Sequence, residues 1–347
     1  MRYRELLSSY VLAGDLVLKN RIVMAPMTRC FAGPGLVPTA QMASYYASRA
    51  EAGLIITEAI LIEPEAQGYP NTPGIFAERQ TEAWKTVTAA VHDHGGRIVC
   101  QLWHTGRLAH SHYTGCQPLA PSSVRYPAAV PRAVGLDYEI PCALTLDEIH
   151  SLIAKYAQAA RNAMEAGFDG VEIHGANGYL IDQFMHQQTN RRDDRYGGSS
   201  DNRARFALEV VDAVAAAIGS NRTGLRLSPQ AYINLDYTEG DELAFDCLLE
   251  HLTRRDMLYL HLGAFDATQA YPYLGGTALE YLRRHYSGTL IGCGGYNPEL
   301  AESALENWQL DLVAFGHPFI ANPDLVRKII SGDTPVAFDE SMLGVLV

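Results

Sequence analysis

The sequence has no continuous apolar stretch of the ~20 residues that a membrane-spanning helix requires, so no membrane span is expected. It also has no excess of positive charge. With 27 Lys and Arg against 39 Asp and Glu, the formal net charge is −12, and a nucleic-acid surface, which needs clustered cations, is not expected. The six cysteines (Cys30, Cys100, Cys116, Cys142, Cys247 and Cys293) show no C-x-x-C spacing and read as reduced thiols of a cytoplasmic protein. The opening residues Met1 to Glu5 lead into a folded pattern without the apolar core of a signal peptide. No Gly-x-Gly-x-x-Gly follows the first strand-like run, which removes the main sign of a dinucleotide-binding open sheet. Low-complexity tracts, linkers and long internal repeats are missing as well.

What is present is a large alternating pattern. The chain has 347 residues, 48% hydrophobic and 19% charged. Eight short β-rich runs fall at 21–25, 54–58, 97–102, 169–174, 223–228, 257–262, 289–293 and 311–316. Each is followed by a helical segment, at 39–52, 79–94, 146–166, 202–218, 242–254, 277–285, 298–308 and 323–330. Thr145 and Glu148 form a capping box, and Asn297-Pro298 and Asn322-Pro323 each place an N-cap before a proline at the first helical position. Eight β-then-α units predict an α/β protein of the (β/α)8 TIM-barrel class, with residues 1–347 as one domain. Two pieces lie outside the repeat. Residues 10–20 predict a hairpin that plugs the N-terminal mouth. Residues 103–143, rich in Pro, Ser and His, predict a functional lid or pocket wall over the C-terminal mouth.

In this fold the site gathers at the C-terminal strand ends. The run 170–173 ends in His174, with Asn177 and Tyr179 just beyond. An imidazole and an amide can hold one electronegative oxygen, and a phenol nearby can supply a proton, which suits acid-assisted chemistry on an activated double bond or carbonyl. The other strand ends contribute Pro26, Met27, Thr28, Glu58, Ala59, Gln101, Trp103, Arg226, Gly294 and Gly295, and Gly316 with His317. Glycine-rich turns after the last two strands suit a phosphate, although such turns are also simply tight turns. Arg226 interrupts an apolar strand and needs an anionic partner; the plain reading is an ion pair with Glu58 or Glu172. Gln101 reads equally as a core amide and Trp103 as packing. His92, His94, His104, His110 and His112 raise a zinc site as a rival. They fall at a helix end and in the inserted loop, without a carboxylate cluster, so no metal is expected.

Taken together, blocks 18–29, 52–59, 96–107, 165–174, 190–205 and 320–325 make the chain resemble the Old Yellow Enzyme family of FMN-dependent ene-reductases, in particular its N-ethylmaleimide and nitrate-ester reductase branch. The resemblance implies FMN as cofactor and NADPH or NADH as electron donor. It implies that Pro26, Met27 and Thr28 lie against the flavin, with the Thr28 hydroxyl on O4, and that Ala59 and Gln101 meet the ring. Arg226 would stand near N1 and C2=O, where reduction places negative charge. Gly294, Gly295, Gly316 and His317 would face the phosphate. His174 and Asn177 would grip the oxygen of an electron-poor alkene or nitro compound, Trp103 would shape the pocket, and Tyr179 would protonate the α-carbon. A second branch of the family has cysteine where Thr28 stands; Cys30 is read as a bystander.

Two departures accompany the match. His317 replaces the arginine that family members place beside the flavin phosphate, which implies weaker, pH-dependent flavin retention. After Pro335 the family's tyrosine-bearing tail is not recognisable, so the pocket wall is expected to differ. The leading reading is an FMN ene-reductase, monomeric or homodimeric. The alternatives are a redox-neutral flavin-dependent isomerase or cyclase, and a flavin-poor binding protein.

Overall fold

The computed structural model describes residues 2–347; Met1 lies outside the described residues. Among these residues eight parallel strands close into a barrel in chain order. They are β1 (Ile22–Met24), β2 (Leu54–Leu61), β3 (Ile98–Trp103), β4 (Gly170–Gly175), β5 (Thr223–Leu227), β6 (Tyr259–Leu262), β7 (Leu290–Cys293) and β8 (Leu312–Phe315). The intervening helices are α1 (Ala40–Ala47), α2 (Glu78–Asp93), α3 (Leu146–Glu165), α4 (Ser200–Ile218), α5 (Glu242–Leu252), α6 (Ala278–His285), α7 (Pro298–Glu306) and α8 (Leu325–Ser331). The expected (β/α)8 architecture is therefore present, and all eight strand-like runs are strands. Their near-continuous apolar character follows from burial on both faces, by helices outside and packed side chains inside.

Val23, Ile56, Val99, Tyr259, Ile291 and Leu312 share one cluster with Leu12 and Leu18. Those two leucines lie on a hairpin, Tyr10–Leu12 paired antiparallel with Leu16–Leu18. Alternation sends the leucines into the barrel floor and leaves Val11 and Val17 exposed. Each buried leucine contributes roughly 1.5–3 kcal/mol.

Three sequence expectations are corrected. First, β2 runs on to Leu61, with a register shift between Ile56 and Ala59. Glu58 and Ala59 thus sit at a bulge within the strand, not at its end. Second, Asn322 does not cap the last helix, whose N-cap is Asp324. Its amide instead bonds Val336 in both directions (2.8 and 2.9 Å), pinning the chain beyond α8 to the turn after β8. Third, the first predicted helix stops at Ala47. Arg49 follows, its guanidinium 3.7 Å from the Tyr45 ring centroid and its Nε donating to the Phe319 carbonyl at 2.9 Å.

The inserted segment after β3 holds short turns and a two-residue parallel pairing of Leu119–Ala120 with Cys142–Ala143. Its Val130 and Tyr138 pack with Ala59, Leu61, Trp103 and Tyr179, covering the C-terminal mouth over β2 to β4. Arg132 from this segment donates to the Thr28 carbonyl at 3.3 Å and reaches across to the end of β1. Among the described residues no helix is long and apolar enough to cross a membrane.

Candidate active site at the barrel mouth

Strand register sets the centre of the site. His174 on β4 pairs with Arg226 on β5, and Arg226 pairs with His261 on β6, so three basic side chains share one layer. One layer below, Ala59 on β2 pairs with Gln101 on β3, and Gln101 with Glu172 on β4. Glu172 is saturated: Gln101 Nε2 donates to it at 2.6 Å and His261 Nδ1 lies 2.9 Å from its other oxygen. Burial pushes the Glu172 carboxyl up, but His261, Arg226 and Gln101 outweigh it and hold the group below its usual value. Burial likewise works against a charged His261, and Glu172 overrides it.

Arg226 is only 7% exposed, and among the described residues it makes no ion pair within 4.0 Å. The expected pairing with Glu58 or Glu172 is absent. Glu172 belongs to His261, and Glu58 accepts the backbone N–H groups of Arg29 (3.0 Å) and Cys30 (3.2 Å). Burial raises the Glu58 carboxyl to about 7. The Arg226 Nε is buried without a partner, as are Trp103 Nε1, His174 Nδ1 and His261 Nε2. Unsatisfied buried polar atoms are costly, and four on neighbouring strands mark a place built for a ligand. Such a ligand supplies acceptors to a cation and to ring N–H donors, as flavin carbonyls and ring nitrogens do. The residues present fit the group.

His174 is buried beside two cations; burial first, then Arg226 and His261, hold it well below the ordinary histidine value. Those surroundings disfavour its charged form. Its ring stacks on Trp103 at 6.3 Å between centroids and meets Tyr179 edge-on at 5.1 Å. Tyr179 in turn stands edge-on to Trp103 at 4.8 Å. Burial and the adjacent Tyr69 push the Tyr179 phenol well above its usual value.

Asn177 has φ of +63°, a left-handed conformation asparagine tolerates. Its backbone N–H donates to Ser228 Oγ (2.9 Å) and its carbonyl accepts from Asn234 (2.8 Å). The Tyr232 hydroxyl donates to its Oδ1 at 2.7 Å, leaving the amide NH2 as the donor for a ligand. A buried network supports this turn. Asp182 accepts from Gly178 N (2.8 Å) and Ser228 Oγ (3.1 Å), and His186 lies between Asp182 (3.2 Å) and Asp241 (2.9 Å).

On the far side, Pro26, Met27 and Thr28 follow β1 half-buried. A Cβ added at Gly316 would sit 3.6 Å from Met27 Sδ, so the ends of β1 and β8 adjoin. Gly294 and Gly295, after β7, both have positive φ (129° and 69°). A side chain at Gly294 would meet Ala267 N at 2.7 Å, so only glycine fits that turn. His317 is exposed, its ring flat on Phe338 at 4.0 Å and 6°. Cys30 is pushed up to about 11, first by burial. Of the histidines weighed for zinc, His104 lies 2.9 Å from Glu63 and His92 3.0 Å from Asp169.

The structure thus gathers Ala59, Gln101, Trp103, His174, Asn177, Tyr179 and Arg226, with Met27 and Gly316 adjoining across the mouth. Sequence reading missed Tyr69, Tyr232 and His261, and took Cys293 only as a reduced thiol at the end of the seventh strand-like run. His261 gave a signal, since it interrupts an apolar strand as Arg226 does. Cys293 lies beside both; burial pushes its thiol up, but His261 and Arg226 outweigh that and lower it. Tyr69 and Tyr232 sit in loops without a pattern to find them.

Known proteins resemble this chain along nearly its whole length. Residues 11–334 match the model of the NADH:flavin oxidoreductase / NADH oxidase family. The chain is 43% identical over 322 residues to 12-oxophytodienoate reductase 1 of Oryza sativa subsp. japonica, covering 91% of this chain and 83% of that one. It is 43% identical over 332 residues to 12-oxophytodienoate reductase 2 of Arabidopsis thaliana, covering 91% and 86%. Among solved structures, the old yellow enzyme homologue from Zymomonas mobilis superposes with a TM-score of 0.93 at 40% identity, covering 99% of this chain and 97% of that one. Morphinone reductase in complex with tetrahydroNAD gives 0.90 at 42% identity, covering 97% and 93%. The chain belongs to the NADH:flavin oxidoreductase / NADH oxidase family, among the old yellow enzyme homologues.

Proposed function

We propose that this protein reduces the activated C=C bond of α,β-unsaturated carbonyl or nitro compounds, with FMN held at the barrel mouth and NAD(P)H as electron source. FMN, when bound, relays hydride from the nicotinamide to the β-carbon of the substrate. Pro26, Met27 and Thr28 would hold the ring from the end of β1, and Ala59 and Gln101 would meet it from β2 and β3. Arg226 would supply a fixed cation to the flavin where reduction places negative charge. Gly294, Gly295, Gly316 and His317 would hold the phosphate.

His174 and Asn177 hold the acceptor oxygen. Because its surroundings disfavour a charged imidazole, His174 polarises that oxygen by hydrogen bonding. The proton for the α-carbon is left to Tyr179, whose raised pKa keeps the phenol protonated until a carbanion-like centre develops. Trp103 and Tyr69 wall the pocket, and the inserted segment excludes water above it. The observation that carries this reading is the set of unpartnered buried atoms on Trp103, His174, Arg226 and His261. The retained proton on Tyr179 favours net reduction over redox-neutral isomerisation or cyclisation.

The test begins with the purified protein. A flavin absorption spectrum, bleaching by NADH or NADPH without oxygen, and recovery on adding 2-cyclohexenone, N-ethylmaleimide or a nitroalkene are expected. Protein that neither carries nor takes up FMN overturns the reading. Turnover of an enone without net donor consumption moves it to the isomerase class.

A further inference from the structure

Beside the centre, between the loops that follow β5 and β6, lies a cavity of about 340 Å³, within the range of small-molecule sites. Tyr232 joins the two places: it lines the cavity, and its hydroxyl holds Asn177 at 2.7 Å. The walls are aromatic. Phe265, 69% exposed, stands edge-on to Tyr232 at 4.7 Å. Tyr237, Tyr271 and Tyr273 also line it, with Tyr273 stacked on Tyr237 at 3.6 Å. Flat apolar faces open to solvent suit a heteroaromatic ring.

Two further observations narrow the ligand. Gln230 lines the cavity at 2% exposure; its Nε2 is spent on the Gly263 carbonyl (2.6 Å), while its Oε1 is buried without a partner. An unmet amide acceptor beside aromatic faces matches the exocyclic amine of adenine. The charged lining residues are Asp236 and Asp266, and no Lys or Arg lines the cavity among the described residues. Carboxylates accept hydrogen bonds from a ribose diol and repel a phosphate placed on it.

We infer that this cavity binds the adenosine half of NADH and turns away the 2′-phosphate of NADPH. The inference rests on the nicotinamide-donor reading above and adds a donor preference to it. The nicotinamide end then lies toward Asn177 and His174, with Tyr232 between the two halves.

The test is stopped-flow reduction of the FMN-loaded enzyme by NADH, NADPH and reduced nicotinamide mononucleotide, which lacks adenosine. NADH is expected to reduce it with at least about tenfold higher second-order efficiency than NADPH, the size of one unfavourable charge contact. Asp236→Asn with Asp266→Asn should raise the NADPH efficiency several-fold and spare that of NADH. Phe265→Ala should weaken NADH by about five- to tenfold, the loss of one stacking face, and leave the mononucleotide unchanged at equal FMN content. Equal efficiencies for the two dinucleotides overturn the inference, as does a Phe265→Ala defect shared by the mononucleotide. Reduction by dithionite but by neither dinucleotide overturns the donor assignment itself, and the inference with it.

Discussion

The hydroxyl of Tyr179 lies 3.1 Å from the hydroxyl of Tyr69, and the Trp103 ring packs beside both phenols. A buried phenol with another hydroxyl at its oxygen can release one proton and be resupplied through the second. Tyr179→Phe is therefore expected to slow re-oxidation by an enone about 10²–10⁴-fold while leaving reduction by the nicotinamide intact. Tyr69→Phe should slow the same half-reaction by at most about tenfold, the worth of one hydrogen bond. Transient kinetics of the separated half-reactions decides; equal losses in both would remove Tyr179 from the proton step.

Arg226 is a buried cation without an anionic neighbour within 4.0 Å, which is tolerable where a bound group supplies the charge. Arg226→Met should weaken FMN binding and lower the two-electron midpoint potential by about 30–60 mV, the equivalent of a charge-assisted hydrogen bond of about 1.5–3 kcal/mol. Spectroelectrochemistry of reconstituted enzyme checks it. An unchanged potential at full flavin occupancy would place the guanidinium away from the ring.

The barrel was legible because each strand is an apolar run between amphipathic helices, a pattern set by burial on both faces. The length of β2 was not, because Thr57 and Glu58 look like a strand end; a bulge and backbone N–H donors from Arg29 and Cys30 let the chain continue. In the site, His174, Asn177, Tyr179 and Arg226 stood out as polar groups breaking apolar strands or just beyond them. Pairing was the hidden part. Glu172 on β4 lies one layer below Arg226 on β5 and His261 two strands away on β6, and only the folded side-chain contact shows that the histidine takes it. Tyr232 reaches Asn177 across 55 residues of chain, from a loop with no periodicity to read.

His186 supports that same turn, and its titration should be visible. Burial works against its charge, but Asp182 and Asp241 raise it from 6.5 to about 9. Protonation is thus favoured in the folded state. Its contribution is complete below about pH 6.5 and is lost as pH rises through about 9. The melting temperature should fall across that window. His186→Gln should flatten the slope and cost about 3–5 kcal/mol at neutral pH by leaving buried carboxylates unpaired. Thermal melts from pH 6 to pH 10 test this; identical slopes in both proteins would contradict it.

His317 is exposed and stacked on Phe338, and at its proposed place beside the flavin phosphate it lacks the forked, permanent charge of an arginine. His317→Arg should tighten FMN by about 1–3 kcal/mol, roughly five- to 150-fold in Kd. Fluorescence titration of flavin-stripped protein measures it. Equal affinities would mean that the glycine turns after β7 already saturate the phosphate.

Gly263, just past β6, gives the most local test of the oxygen-holding turn. A Cβ there would lie 2.9 Å from Asn177 Oδ1, 3.4 Å from Arg226 Nε and 3.5 Å from the Tyr232 hydroxyl. Three polar groups converge on the space a methyl would take, so Gly263→Ala must displace at least the first. The backbone itself is unstrained by the change, since Gly263 has no positive φ. Stability should therefore shift by no more than about 1–2 kcal/mol, within the usual range for a point substitution. Losing the Tyr232 contact frees Asn177 to turn away from the substrate oxygen. The efficiency of enone reduction should fall at least about tenfold, as for one hydrogen bond to a polarised acceptor, with hydride uptake from the nicotinamide less affected. If Gly263→Ala matches the parent protein toward a panel of enones, the amide of Asn177 is not a substrate contact.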